Sequence, residues 1–197
     1  MNWKKFCRKA RRFVRRHRHH LLLAGVIAAV LLVMVLAGRR DYQDFLDDLG
    51  MRESSDDYTA VNRFGYMGRY QLGTLALREI GFLDENGAWT ELANSYGVCS
   101  EADFLHSPAA QDHAVTVYHR KTCGYIRAYG LDAYIGTDYC GVRVTRSGLL
   151  AACHLVGIGS MKDALTTGQA VHDGNGVPAA HYMELFAGYD VSKVWRG

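Results

Sequence analysis

The sequence predicts a mainly α-helical domain with a small sheet, preceded by one N-terminal transmembrane helix. Three observations carry this. After residue 40, apolar residues recur at helical rather than alternating spacing, in runs that open on capping residues. Only two prolines occur among 197 residues, so little interrupts those runs. Leu21 to Gly38 has no charged or strongly polar side chain and follows a strongly basic leader.

The leader, residues 1–20, holds nine Lys and Arg between Lys4 and Arg18 and no acid. At about 1.5 Å per residue, a helix over residues 21–38 is just long enough for a hydrocarbon core of roughly 30 Å. Only Arg39 and Arg40 follow it closely. This asymmetry predicts a single pass through the inner (cytoplasmic) membrane, with the N-terminus in the cytoplasm and the domain in the periplasm. Val35-Leu36-Ala37 has small residues suited to signal-peptidase cleavage, so a removable signal is the competing reading. The run exceeds the about 7–15 residues of a signal core, which favours an uncleaved signal anchor. Beside such a segment the arginines read as a topology determinant and anionic-lipid contact.

Residues 41–197 form one domain of ordinary size. Its twelve Lys and Arg stand against twenty Asp and Glu, a formal charge of −8 hidden by the chain's overall +3. An acidic domain is a poor fit to nucleic acid, whose binding rests on neutralising phosphates. Cys7 lies in the leader, leaving Cys99, Cys123, Cys140 and Cys153 in the domain. Export to an oxidising compartment predicts at least one disulfide among these four, with three connectivities open. No C-x-x-C or Cys/His cluster has zinc spacing, so neither metal nor cofactor is expected. Asp173-Gly174-Asn175-Gly176 lacks the ligand run of a calcium loop and reads as a turn.

In chain order, Tyr42, Phe45, Leu46 and Leu49 place a helix just upstream of Glu53. Any sheet is expected near Gly65–Gly73, and a short helix over Thr74–Ile80. Ser107-Pro108 reads as N-cap and first helical position of a run through Tyr118 and on towards Tyr125. Thr145 caps a helix through Leu149, Leu150, Ala152 and Cys153 that ends near Gly157. Short helices follow at Ser160–Thr166 and Pro178–Phe186.

The stretch Met51–Leu77 places Glu53 at a helix end, before three glycines (Gly65, Gly68, Gly73) threaded with Tyr66, Tyr70 and Gln71. A glycosidic bond breaks when an acid delivers a proton to the leaving oxygen, so the acid must hold its proton near neutral pH. Apolar walls favour this by desolvating the charged form, and glycines let backbone approach a sugar closely.

The spacing Glu53-Ser54, five residues, Ala60-Val61, three residues, Gly65-Tyr66-Met67-Gly68, two residues, Gln71 closely resembles a known signature. It belongs to the soluble lytic transglycosylase and goose-type lysozyme superfamily. There a catalytic Glu-Ser precedes Gly-x-Met-Gly-x-x-Gln at this interval. Ser147–Gly159 is more weakly similar to the family's later helix, Ala-x-x-Tyr-Asn-x-Gly. The resemblance implies a lysozyme-like α+β domain that cleaves peptidoglycan glycan strands, with Glu53 as general acid and then base. It implies that Ser54 orders this region and that Met67, Gly68 and Gln71 line the sugar cleft; Tyr66, Met67 and Tyr70 are the candidate apolar walls, and His154 is a candidate substrate-binding residue. His154 stands where the family has Asn, and Cys153 where it has the Tyr that positions the carboxyl. Tyr66, Tyr70 or Tyr182 must then supply that hydroxyl.

One carboxylate suffices in lytic transglycosylases, where the substrate's N-acetyl group assists and a 1,6-anhydro sugar forms. Asp56 and Asp57 read as solvated turn residues, not as a second acid. The expected activity is a membrane-anchored lytic transglycosylase acting on the MurNAc-GlcNAc β-1,4 bond, with peptidoglycan glycan strands and an envelope-spanning machine as the candidate partners. The alternatives are a lysozyme-type hydrolase on the same fold and a catalytically weak glycan-binding anchor.

Overall fold

A computed structural model describes residues 40–196, together with Val26 and Gly38. The chain divides into two units, Met1–Arg39 and Arg40–Gly197, and the fold below is that of the second. Among the described residues no helix is long and apolar enough to cross a membrane. The transmembrane helix expected over residues 21–38 lies, but for Val26 and Gly38, outside the described residues.

The domain is mainly helical with one small two-stranded hairpin. Helix α1 is Tyr42–Ser54, opened by a capping box in which Asp41 accepts from the Asp44 amide and Asp44 accepts from the Asp41 amide. Short helices α2 (Thr74–Glu79), α3 (Glu91–Asn94) and α4 (Glu101–Leu105) precede α5, Pro108–Ala128. A 3-10 turn at Leu131–Tyr134 leads to the hairpin, β1 Asp138–Tyr139 and β2 Val142–Arg143. Helices α6 (Arg146–Val156), α7 (Ile158–Thr167), α8 (Ala179–Leu185) and α9 (Ser192–Trp195) complete the domain.

The long helices follow their sequence signals. Ser107 caps α5 through the Ala110 amide, with Pro108 in the first turn. Thr145 caps α6 through the Gly148 amide, and Gly157, at φ 80, ends it. Helix α6 is the centre of the core: Leu149 through Cys153 are all fully buried, so every face of the helix is covered. Gly148 makes this possible, because a β-carbon there would sit 2.5 Å from the Met183 carbonyl oxygen of α8. Phe45 and Leu49 of α1 and Val115 and Ile126 of α5 belong to the same core.

Two expectations are corrected. The sheet is not at Gly65–Gly73, where only the isolated bridges Val61–Met67 and Met67–Leu72 form. Gly65, Gly68 and Gln71 all have positive φ, which turns the backbone too often for a ladder. The true hairpin closes through Cys140 and Gly141, at φ 52 and 81, where a two-residue turn needs both central residues left-handed. The expected disulfide is also absent among the described residues, where Cys99, Cys123, Cys140 and Cys153 are free. Cys99 and Cys140 are exposed. Cys123 and Cys153 are buried on α5 and α6 and pack as small apolar side chains. Burial pushes the Cys123 thiol up to about 12 and raises that of Cys153 further still.

Candidate active site

Glu53 sits in the last turn of α1. The helix stops just past it because Ser55 and Asp56 turn left-handed, their amides donating back to the Met51 and Gly50 carbonyls. Ser54 fixes this end to the next segment: its hydroxyl donates to the Arg69 carbonyl at 3.0 Å and accepts from the Asp57 amide at 2.9 Å.

The wall formed by residues 60–73 is pinned from behind. The buried Gln111 side chain accepts from the Arg69 amide at 2.8 Å and donates to the Tyr58 and Phe104 carbonyls at 2.9 Å. Gly68 is required there, since it has φ 75 and a β-carbon would fall 2.0 Å from Gln111 Oε1. The buried Arg69 guanidinium pairs with Asp47 and Asp56 and donates to the Tyr70 hydroxyl, which in turn donates to Asp112 at 2.7 Å. Asp56 is therefore a structural ion-pair partner and not the solvated turn residue expected. Asp57 is exposed and accepts from the Thr59 amide and hydroxyl, which hold its carboxyl below the usual range.

On the open side of this wall lies a cavity of about 330 Å³, lined by Glu53, Tyr66, Gln71 and His154 among others. Ser54, Met67, Gly68 and Tyr70 are not among its lining residues; Met67, Gly68 and Tyr70 are buried behind it. So half of the expected site faces the cleft and half supports it. A neighbouring cavity of about 410 Å³ shares Phe64, Tyr66, Gln71 and His154 and extends to Leu75 and Tyr118. Together they make a groove with the exposed apolar faces of Phe64, Tyr66 and Leu75 along it. Aromatic faces beside hydrogen-bonding groups suit a ligand with both apolar and hydroxylated surfaces.

The hydroxyl beside Glu53 comes from Tyr182 of α8, which donates to Glu53 Oε1 at 2.7 Å. Burial, and then the neighbouring Glu53 charge, raise the Tyr182 hydroxyl well above its ordinary value, so it stays a donor. Cys153, in the helix position of the family's tyrosine, is fully buried and points to no such role. With Oε1 accepting from Tyr182, Oε2 is the carboxyl oxygen left for a further partner.

His154 ends a buried relay of fixed direction. One ring nitrogen, Nε2, lies 2.9 Å from the Tyr70 carbonyl and must donate to it. Its Nδ1 then accepts from His119 Nε2 at 3.1 Å, and His119 Nδ1 accepts from the Tyr42 hydroxyl at 2.9 Å. Burial, and then His154, lower His119 well below its ordinary value.

Sequence reading missed the opposite wall, where His172, Asp173, Gly174 and Asn175 line the same cavity as Glu53. The Asp173 motif reads correctly as a turn: its Oδ1 accepts from the Asn175 and Val177 amides at 2.9 and 2.7 Å. Nothing local in that motif points to a cleft. Among the described residues no group of three His, Cys, Asp or Glu is arranged to hold a metal ion. No family model matches the chain, and neither a curated protein nor a solved structure is significantly similar to it.

Proposed function

We propose that the domain is a peptidoglycan lytic transglycosylase with Glu53 as its general acid and base. The observation that carries this reading is the Tyr182–Glu53 hydrogen bond at the floor of an open, aromatic-sided groove. Glu53 Oε2 delivers its proton to the glycosidic oxygen while the N-acetyl group of the substrate stabilises the sugar cation. The resulting carboxylate, held by the Tyr182 hydroxyl, then takes the proton of the sugar's own 6-hydroxyl as the 1,6-anhydro ring closes. The fold this implies is lysozyme-like. Residues 21–38 would anchor the domain outside the cytoplasm, where glycan strands, and any envelope-spanning machine it serves, are within reach.

Asp173 favours a second reading, a lysozyme-type hydrolase, because its carboxylate shares the cavity with Glu53. Two-carboxylate glycosidases use such a partner to activate water or attack the sugar. Asp173 is engaged in its own turn, which weighs against that role. Mass spectrometry of peptidoglycan digested by the full-length protein separates the two. Anhydro-muropeptides are the expected product; reducing-end muropeptides would replace this reading with the hydrolase, and no release would sink both.

A further inference from the structure

The two walls of the groove touch. The first ends in a tight turn at residues 62–66, in which the Asn62 side chain accepts from the Phe64 amide at 2.8 Å and the Tyr66 amide at 3.1 Å. The second ends in the Asp173 turn, closed at its base by the His172–Pro178 bridge. Each tip is held by its own bonds, so each moves as a unit. Between them are two weak contacts. Arg63 donates to Asn175 Oδ1 at 2.9 Å in an exposed position. Phe64 also comes close to Gly174, where an added β-carbon would lie 3.6 Å from the ring, and within its own tip it carries the Arg63 guanidinium 4.7 Å from its ring centre. Both tips line the cavity that holds Glu53.

We infer that these tips form a strap across the groove, which parts to admit the interior of a glycan strand and, closed, lets only strand ends reach Glu53. The inference rests on the glycan-cleaving reading of the groove. A polymer bearing peptide stems cannot pass sideways through two walls in contact, but a free end can slide beneath them. The chemistry of the strap fits a gate. An exposed Arg–Asn hydrogen bond and the close approach of one ring to a glycine are individually weak, whereas the bonds within each tip are several and local. The strap thus opens without either wall unfolding. Its consequence is a preference for releasing disaccharides from strand ends over cutting long fragments from within.

The test uses full-length protein on purified sacculi, reading the length of the released glycans. Arg63→Ala removes both the hydrogen bond and the guanidinium contact. Loss of the hydrogen bond between the tips is expected to raise the ratio of long to disaccharide products about fivefold, the size of one lost exposed hydrogen bond. Arg63→Cys with Asn175→Cys, in a background with Cys99 and Cys140 replaced by Ser, is joined by a bis-methanethiosulfonate with a spacer of about arginine length and verified by mass spectrometry, which locks the strap through reducible bonds. Long products should then disappear while disaccharide release continues, and reduction should restore them. Unchanged product lengths in an active enzyme, opened or locked, overturn the strap alone. Loss of all release in the locked form also overturns it, since ends should still pass. A wild-type protein that releases nothing sinks the glycan reading, and the strap with it.

Discussion

Glu53 lies between two walls built in opposite ways. The wall of residues 60–73 is fastened by long-range bonds that are buried or half-buried: Gln111 to the Arg69 amide, Arg69 to Asp47 and Asp56, His154 to the Tyr70 carbonyl. The wall of residues 172–177 is held by its own turn, with the Arg63–Asn175 hydrogen bond crossing to its neighbour. Buried polar contacts fail expensively because a group left alone has no water to turn to, whereas exposed ones exchange readily with solvent. The first wall therefore fixes the carboxylate's surroundings, and the second is free to govern access. On the proposed reading, chemistry and admission fall to different segments.

The largest effect should come from the group both walls serve. Glu53→Gln keeps the shape and can still accept from Tyr182, but cannot deliver a proton. Activity on sacculi should fall by at least about 10²–10⁴-fold, the usual worth of general acid–base catalysis, with the thermal midpoint almost unmoved. Near-wild-type release would remove Glu53 from the mechanism. Tyr182→Phe deletes only the hydroxyl. Its loss should cost about tenfold in kcat, the scale of one hydrogen bond to a charged group, while glycan binding persists. A wild-type rate in that variant would leave Tyr182 a bystander.

A pair of glycines measures the contrast between the walls directly. Gly68→Ala adds a β-carbon 2.0 Å from a pinned Gln111 oxygen at φ 75 and should destabilise by about 3 kcal/mol or more. Gly174→Ala meets only ordinary contact with Phe64, at a φ that is not left-handed, and should stay within about 0.5 kcal/mol of wild type. Chemical denaturation of the two variants decides it; equal losses would mean that the walls are equally fastened.

The same asymmetry explains what could be read from the sequence. Helices α5 and α6 announce themselves through Ser107-Pro108 and Thr145, because capping is local chemistry, and α1 through the helical spacing of Tyr42, Phe45, Leu46 and Leu49. Glu53, Tyr66, Gln71 and His154 were legible through their fixed spacing, and all four face the groove. Tyr182 was one of three candidate hydroxyls; only packing of α8 against α6 through Gly148 selects it. The second wall was illegible, since an Asp-Gly-Asn-Gly turn looks the same over a cleft as on bare surface. Helices α3, α4 and α9, of four or five residues, are too short to show periodicity. The disulfide was expected from compartment alone, a property of where a chain resides and not of which cysteines meet.

Acid should loosen the first wall before the second. His119 is fully enclosed and its imidazole is held well below the ordinary value of 6.5 by burial, then by His154. In the unfolded chain it takes up a proton near its ordinary value, so acid favours unfolding. The stability it contributes is whole above that value and is lost as pH falls towards the depressed folded value. Thermal midpoints measured between pH 8 and about 5 should therefore fall on the acid side, and His119→Gln should flatten the decline. An unchanged slope in that variant would place the acid sensitivity elsewhere.

The smallest effect is expected at Asp173, and it bears most directly on which reaction occurs. Asp173→Asn keeps a side-chain oxygen that can accept from the Asn175 and Val177 amides, so the turn should persist and stability should change by no more than about 1 kcal/mol. What the variant loses is a negative charge in the cavity of Glu53. If the substrate's own N-acetyl group does the work of a second carboxylate, that charge is not needed and the rate should stay within about threefold of wild type. A hydrolase that activates water through Asp173 would instead lose most of its activity, by about the 10²-fold or more that a missing general base costs. Product analysis sharpens the outcome, because residual activity with anhydro ends identifies the single-acid route even if the rate shifts. A collapse of the rate with an intact fold would move Asp173 from the wall of the groove into its chemistry, and the two walls would no longer divide chemistry from access.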